Sequence, residues 1–539
     1  MVNSALNIFY ILWAIQTAKA MFFWLYLWQL KEYHLKRFID HFRTEKGKQI
    51  LHSPVRLVKI LFLALALFLP MFWPILIVYA AQTAAFLTKT SPKKPVFTAK
   101  MVFLTLINTA GFSAIALYSS RLALNHAVII LLLTDIVSPL IVSGIVLLLQ
   151  PFAVLFRQHI INRAKTKRAD FKNLTVIGIT GSYGKTSTKE ILKTILEQKF
   201  RVLATKEHQN SEIAISRCVL NDLKPEHQVF ICEMGAYDKG KVKEVSEITK
   251  PKIGIICGVN EQHLALFGSM ENLLSAEGGK ELIESLPENG VLVLNEDNTL
   301  IQKDEVNIKY QNDNPKIKIK FCSAKQKTDL WAENIIVEKE WLYFKVYDRM
   351  GESADFKINL VGRQNIENIL LAMACAKELG MTLTEIAKAC EKIKLEQGAM
   401  KLIKGSGGVD IIDSSYSANP DGVLAALEHL KLWSGKKVIV MPCLIELGPA
   451  AKEAHEKIGK KIGEICDFAV ITTKDWFEVI KKAAVAAGMK PGNIIFSENP
   501  REIFEKIKSF SSSEDVILLE GRVPQDLFNH LKNKTVPAI

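Results

Sequence analysis

The octapeptide Thr180-Gly181-Ser182-Tyr183-Gly184-Lys185-Thr186-Ser187 is the densest chemical signal in the chain. It follows an apolar run over residues 174–179 and opens a helical pattern over 188–196. A strand, a glycine-bearing turn and a helix start are the setting of a phosphate-binding loop. Glycines let backbone N–H groups close on phosphate oxygens, and the helix N-terminus adds its dipole. Lys185 would neutralise β- and γ-phosphates, and Thr186 would ligate Mg²⁺. Ile179 stands where the general pattern has its first glycine. A chance Gly-Lys-Thr turn is the competing reading, and the strand before it and the helix after it weigh against that. The motif implies a nucleoside triphosphate without saying which reaction uses it.

Two further strand ends carry polar chemistry. The apolar run 229–232 ends in Glu233-Met234-Gly235, and a carboxylate at a strand end beside such a loop is placed to hold Mg²⁺. The run 253–257 leads into Gly258-Val259-Asn260-Glu261-Gln262-His263. His263 is a candidate metal ligand or phosphate contact; taken alone, a histidine after a strand is more often structural. Asn295-Glu296-Asp297-Asn298 ends the next run, as nucleotide contacts or as turn chemistry.

These residues need a sheet to align them. From residue 173 onward short apolar runs alternate with helical patterns, which predicts βαβ units and a mostly parallel sheet. Short strands rich in Lys, Ile and Val over 301–356 predict an antiparallel extension, followed by helices at 364–379 and 383–393. A second alternating block predicts strands at 409–412, 437–441, 468–472, 493–496 and 515–519. The expected fold is thus a multi-span α-helical membrane domain (1–165) followed by two α/β domains, a P-loop ATP-binding domain (166–396) and a Rossmann-like domain (397–539).

The membrane expectation rests on the first third of the chain. Of its 539 residues, 49% are hydrophobic and the net charge is +13. Residues 1–170 hold 19 Lys and Arg against 5 Asp and Glu, whereas the remainder holds 50 against 51. The basic excess therefore lies beside apolar runs at 5–30, 57–87, 101–119 and 126–156, each near or above the ~20 residues a span needs. Basic flanks mark the cytoplasmic side, so nucleic acid is not the expected partner. The basic segments 31–56 and 157–168 fall on opposite sides of four simple spans. Either the last stretch is a hairpin broken near 135–139 or one stretch is re-entrant. Asp135 is either a functional charge or a polar turn within a broken helix. The eight scattered cysteines contain no CxxC pair, which excludes a zinc knuckle or a disulfide framework and fits a reducing compartment.

Taken in order, several residues resemble the Mur ligase family, most nearly its D-alanyl-D-alanine-adding branch, over 173–539. They are Thr180 to Thr186, Asn210, Glu233-Met234-Gly235, Asn260 with His263, Phe267-Gly268-Ser269 and Leu286-Pro287-Glu288-Asn289-Gly290. Gly362 with Asn365 and Asn368, Asp413 with Tyr416, Ala418-Asn419-Pro420 and Glu446-Leu447-Gly448 with His455 complete the set. The resemblance implies an ATP- and Mg²⁺-dependent acid–amino-acid ligase of peptidoglycan synthesis. It would activate a muramoyl-peptide carboxylate as an acyl phosphate for attack by an amino acid or dipeptide amine. By analogy Lys185, Glu233, His263 and Glu277 are catalytic, and Thr186, Glu233 and His263 hold metal. The nucleotide would meet Thr180, Gly181, Ser182, Gly184, Lys185, Thr186, Ser187, Asn295, Asn365, Asn368 and Asp413.

Four departures from the family matter, the last of them in the domain that would position the acceptor amine. A carbamylated lysine has no counterpart here; one alignment places Glu277 there, another Gly279, and Lys280 is the nearest lysine. Glu277 can supply the carbamate's negative charge directly. Asp413-Ser414, Tyr416-Ser417, Glu520-Gly521-Arg522 and Ala399 replace the family's Asp-Asp, Tyr-Asn, Lys-Gly-Ser and arginine. A membrane region replaces the usual UDP-binding domain, so the donor is expected to be lipid-linked as an alternative to soluble. Arg157, Arg163, Lys165, Lys167 and Arg168 would then meet pyrophosphate or anionic lipid, or simply anchor the protein. The expected partners include the bilayer, and the expected location is a multi-pass cell-membrane protein with cytoplasmic catalytic domains. A P-loop membrane transport ATPase and a catalytically degenerate scaffold are the competing readings.

Overall fold

The computed structural model describes residues 2–31, 33–42, 45–51, 53–88, 93–206, 209–301, 316–395, 400–416 and 418–532. Ala399 and Ser417 lie outside these. The chain forms two compact units, Met1–Arg157 and Gln158–Ile539, dividing upstream of the expected boundary at 165.

The first unit is helical. Its core gathers Phe9, Trp13, Trp28, Tyr79 and Leu131. Indole groups find partners inside it: Trp13 Nε1 donates to the Leu131 carbonyl (2.8 Å) and Trp28 Nε1 to Ser143 Oγ (2.9 Å). The expected kinked stretch 57–87 is two helices, Pro54–Ala66 and Phe72–Leu87. Pro70 precedes the second, and Pro74 sits in its first turn, where a missing N–H is tolerated. The expected break near 135–139 does not occur, because helix Leu124–Leu148 runs through Pro139. Asp135 is instead a tie between three helices: its Oδ2 accepts from Lys59 Nζ and from Tyr79 Oη (2.6 Å for the latter). Burial of both charges demands this pairing. Four helical stretches, Ser4–Leu30, Gly47–Ala66, Ala99–Ser119 and Leu124–Ala169, are long and apolar enough to cross a membrane by length and composition alone.

The second unit contains two sheets. The first holds β1 (Thr175–Thr180), β2 (Val202–Ala204), β3 (Val229–Glu233), β4 (Ile253–Ile256), β5 (Val291–Asn295), β6 (Lys318–Ser323), β7 (Leu330–Val337), β8 (Trp341–Asp348) and β9 (Ser353–Asn359), in the order β2-β3-β1-β4-β5-β6-β7-β8-β9. Pairing is parallel from β2 to β7 and antiparallel from β7 to β9; the expected antiparallel extension over 301–356 begins only after β7, because β6 joins the parallel part. Its central strands are buried on both faces, hence the continuous apolar runs. One face packs on helices Lys185–Leu196 and Asn365–Glu378, the other on Glu212–Asn221 and Lys241–Thr249. Each fully buried Ile of β1, β3 and β4 contributes about 1.5–3 kcal/mol.

The second sheet holds β10 (Lys401–Lys404), β11 (Asp410–Ser414), β12 (Lys437–Met441), β13 (Phe468–Ile471), β14 (Ile494–Phe496) and β15 (Val516–Glu520), in the order β10-β11-β15-β12-β13-β14. Only the β10–β11 pair is antiparallel. The chain leaves β11 for β12 and returns last to β15 between them, which makes the end of β15 a topological switch point.

Three cations of the basic run 157–168 are engaged within the protein. Lys165 Nζ pairs with Glu247 (2.7 Å), and Lys167 Nζ donates to the carbonyls of Leu220 and Leu223. Arg168 donates to the carbonyls of Thr249, Phe171 and Leu174. These three cations stitch the end of helix Gln150–Ala169 to the first sheet's domain, because carbonyls at helix ends and turns need donors.

Candidate active site

Strand β1 lies between β3 and β4, so the loop after it opens at the crevice where strand order reverses. Gly181 (φ 140°) and Gly184 (φ 82°) take backbone angles that side chains disfavour. A Cβ at Gly184 would stand 2.6 Å from Asn368 Oδ1. The Ser182 and Tyr183 N–H groups donate to the Gly258 carbonyl (2.8 and 3.1 Å), and Asn298 Nδ2 donates to Tyr183 Oη (3.1 Å). The loop is thereby fixed to β4's exit. Lys185 begins the helix and folds its Nζ back onto the carbonyls of Gly181 and Ser182. An ammonium resting on loop carbonyls is poised for an anion placed over the loop.

Glu233 ends β3 and is held from three sides. Thr186 Oγ1 donates to its Oε1 (3.1 Å), Asn210 Nδ2 approaches the same oxygen (3.4 Å), and Lys189 Nζ lies 3.2 Å from Oε2. Lys189 is 1% exposed and also meets Glu190 (3.2 Å). Sequence reading missed it, although its place one helical turn after Lys185 was a signal.

His263 and Glu277 come together. His263 Nδ1 lies 2.8 Å from Glu277 Oε1, and Ser182 Oγ donates to Glu277 Oε2 (2.7 Å). Burial of Glu277 would raise its pKa, but His263, Lys185 and the Ser182 bond together hold it below the ordinary carboxylate value. A buried carboxylate therefore stays charged beneath the loop. Neither Gly279 nor Lys280 takes this place: Gly279 packs on Ile256, and Lys280 pairs with Glu284 (3.8 Å).

One cavity of about 700 Å³ gathers Ser182, Gly184, Lys185, Thr186, Ser187, Glu233, His263, Glu277, Asn295, Asn365 and Asn368. Thr180, Gly181 and Asp413 are not part of its lining. Asp413 Oδ1 accepts from both the backbone N–H and the hydroxyl of Ser415. Asn365 and Asn368 bond each other (3.3 Å), Asn365 donates to the Val361 carbonyl, and Asn368 accepts from Thr188 Oγ1. Asn295 Nδ2 donates to Glu367 Oε2 (2.8 Å), a cavity acid the sequence reading did not single out. Burial raises Glu367 above the usual range, against the Asn295 bond.

The second sheet supplies the opposite wall. Asn260 Nδ2 donates to Asn419 Oδ1 (3.1 Å) and Asp421 Oδ2 (2.8 Å), and the Ala265 N–H donates to the Glu446 carbonyl (2.9 Å). Gly448 (φ 57°) packs on Ala265, so the Glu-Leu-Gly turn is a docking element. His455 is fully buried, accepting from the Leu444 N–H and donating to the Ala451 carbonyl; burial lowers its pKa, so it is a structural neutral imidazole. Among the described residues no three His, Cys, Asp or Glu side chains converge as a metal cluster.

Comparison with known proteins matches this architecture. Residues 179–376 match the Mur ligase middle domain, and residues 399–523 match the Mur ligase glutamate ligase domain. The UDP-N-acetylmuramoyl-tripeptide–D-alanyl-D-alanine ligase of Escherichia coli (strain K12) is 31% identical over 285 residues, 53% of this chain and 61% of the relative. The enzyme of that name from Bacillus subtilis (strain 168) is 27% identical over 349 residues, 64% of this chain and 72% of the relative. This chain thus spans about three fifths of the E. coli relative's length. The fold is shared with MurF of Acinetobacter baumannii (TM-score 0.59, 24% identity, 69% of this chain and 78% of that one). It is also shared with the MurF ligase of Thermotoga maritima in complex with ADP (TM-score 0.60, 23% identity, 70% and 84%). These relatives correct the expected multi-pass cell-membrane location: they are soluble cytoplasmic enzymes, and the four apolar helices are candidates by length and composition alone.

Proposed function

From the Mur ligase middle and C-terminal domains that this chain carries, we propose that it is an ATP-dependent, amide-forming ligase of peptidoglycan precursor synthesis. The donor is a muramoyl-tripeptide and the acceptor D-alanyl-D-alanine, as in the names of its E. coli and B. subtilis relatives. The two catalytic domains are residues 166–396 and 397–539. One observation carries the reading: a single cavity joins a phosphate-binding loop, an acid at the end of β3 and the carboxyl ends of parallel strands of the second sheet. A transferase of one phosphoryl group to a bound carboxylate needs that arrangement.

The residues fit ATP with Mg²⁺. The loop glycines leave bare backbone for phosphate, and one carboxylate with one hydroxyl is the small protein share that Mg²⁺ accepts when phosphates complete its shell. When bound, Mg²⁺ would offset the repulsion between the donor carboxylate and the triphosphate. Lys185, now on loop carbonyls, would offset the charge of the β- and γ-phosphates. Thr186 and Glu233 would hold one Mg²⁺, with Lys189 fixing the second Glu233 oxygen. Glu277 orients His263 for a second metal site and supplies the negative charge a carbamylated lysine would carry. Asn295, Asn365 and Asn368 line the nucleoside side.

The test follows the oxygen. With the donor carboxylate labelled by heavy oxygen, one labelled atom should appear in each phosphate released, because the acyl phosphate's bridging oxygen comes from the donor. UDP-linked and lipid-linked donors would be assayed separately. Phosphate carrying no oxygen from the labelled donor would refute the ligase reading in favour of a plain ATPase.

A further inference from the structure

The end of β15 carries an acid that the scheme above leaves unused. Glu520 is 1% exposed and lies between β11 and β12 at the switch point of the second sheet. It lines the same cavity as Lys185 and Glu233. The Ser414 hydroxyl across the ladder bonds its carboxyl, while Oε2 is buried without a hydrogen-bond partner among the described residues. A buried polar oxygen left unmatched is costly unless a ligand completes it. Tyr416, Asp421 and Lys457 are the other ionisable groups on this wall, and Arg522 follows two residues on.

The ligand's chemistry follows by elimination, and this step rests on the ligase reading. ATP phosphates and the donor carboxylate are anions, which Glu520 repels in the ionised form that can accept a proton. Of the reacting groups, only the acceptor's ammonium offers positive charge and hydrogen-bond donors. We propose that Glu520 binds the acceptor's ammonium group through Oε2 and takes its proton, freeing the amine to attack the acyl phosphate. The proton passes from nitrogen to Oε2. The nitrogen lone pair then forms the C–N bond, the carbonyl carbon's bond to the bridging oxygen breaks, and phosphate leaves with that electron pair and the second amine proton. Glu520 returns its proton to water as product departs. Burial, opposed by the Ser414 bond, pushes this carboxyl up to about 8. An α-amino group titrates at roughly 7.7–8.0, so the transfer is nearly balanced, where general-base catalysis works best.

Hydroxylamine tests this, since it is already a free base at neutral pH and traps acyl phosphate as a hydroxamate without a protein base. Purified full-length wild type and Glu520→Gln would be given ATP, Mg²⁺ and muramoyl-tripeptide, with D-alanyl-D-alanine or hydroxylamine. Glu520→Gln should lower the ratio of amide to hydroxamate about 100-fold. Glu520→Asp, which keeps the acid, should recover part of that ratio. A ratio equal to wild type in Glu520→Gln overturns the proposal, and so does equal loss of both products, which would place Glu520 on the donor side. Wild type that forms no hydroxamate would instead refute the ligase reading itself, and this inference with it.

Discussion

Lys185→Ala should lower amide formation about 1,000-fold, the upper range for removing one preorganised group that meets developing charge. Nothing else described in the cavity can replace it. Lys325 and Lys457 line the same space, but neither belongs to the loop that would cradle phosphate. The ammonium rests on two loop carbonyls and is part-buried, so its removal takes little from the fold. The thermal midpoint of Lys185→Ala without nucleotide should match wild type, while the upward shift produced by ATP with Mg²⁺ should shrink. A variant that keeps turnover within about tenfold of wild type would remove the loop from the reaction.

Glu277→Ala should lower turnover roughly 10- to 100-fold, the usual effect of losing a carboxylate that orients a metal-site histidine. Both its oxygens are used, one by His263 and one by Ser182, and its charge lies beneath the phosphate-binding loop. Glu277→Gln separates shape from charge. It keeps the size and one acceptor, so a loss equal to that of alanine assigns the effect to the negative charge. Both variants should need more Mg²⁺ for half-maximal rate. Wild-type turnover at wild-type Mg²⁺ in either variant would end the view that Glu277 stands in for a carbamate.

The phosphate loop was legible because its signal is local: an apolar strand, two glycines at turning points and a lysine at a helix start. The central strands of both sheets were legible for a related reason, since parallel strands buried on two faces read as unbroken apolar runs, whereas the short edge strands β2 and β10 were not. Charges were harder. The run at 157–168 read as a surface signal, yet Lys165, Lys167 and Arg168 are taken up by Glu247 and by helix-end carbonyls that no pattern announces. Lys189 was passed over because a buried lysine on a helix is not expected until the carboxylate facing it is known. Asp413 matched its motif, but Ser415, two residues on, captures its carboxylate locally. Pro139 read as a break, yet helix Leu124–Leu148 accommodates it, because neighbouring helices hold the segment by packing rather than by its own ladder alone. Glu520 stood out in the sequence as a charge reversal; its unmatched oxygen and its place on the cavity wall became visible only in three dimensions.

The most direct test of the central claim is phosphate release from ATP by the purified full-length protein, with muramoyl-tripeptide donor and D-alanyl-D-alanine each supplied and each withheld. Sustained release that requires both together, with amide product formed in equal amount, is the predicted result. Release that continues without the donor or without the amine, or no release with both present, would contradict it.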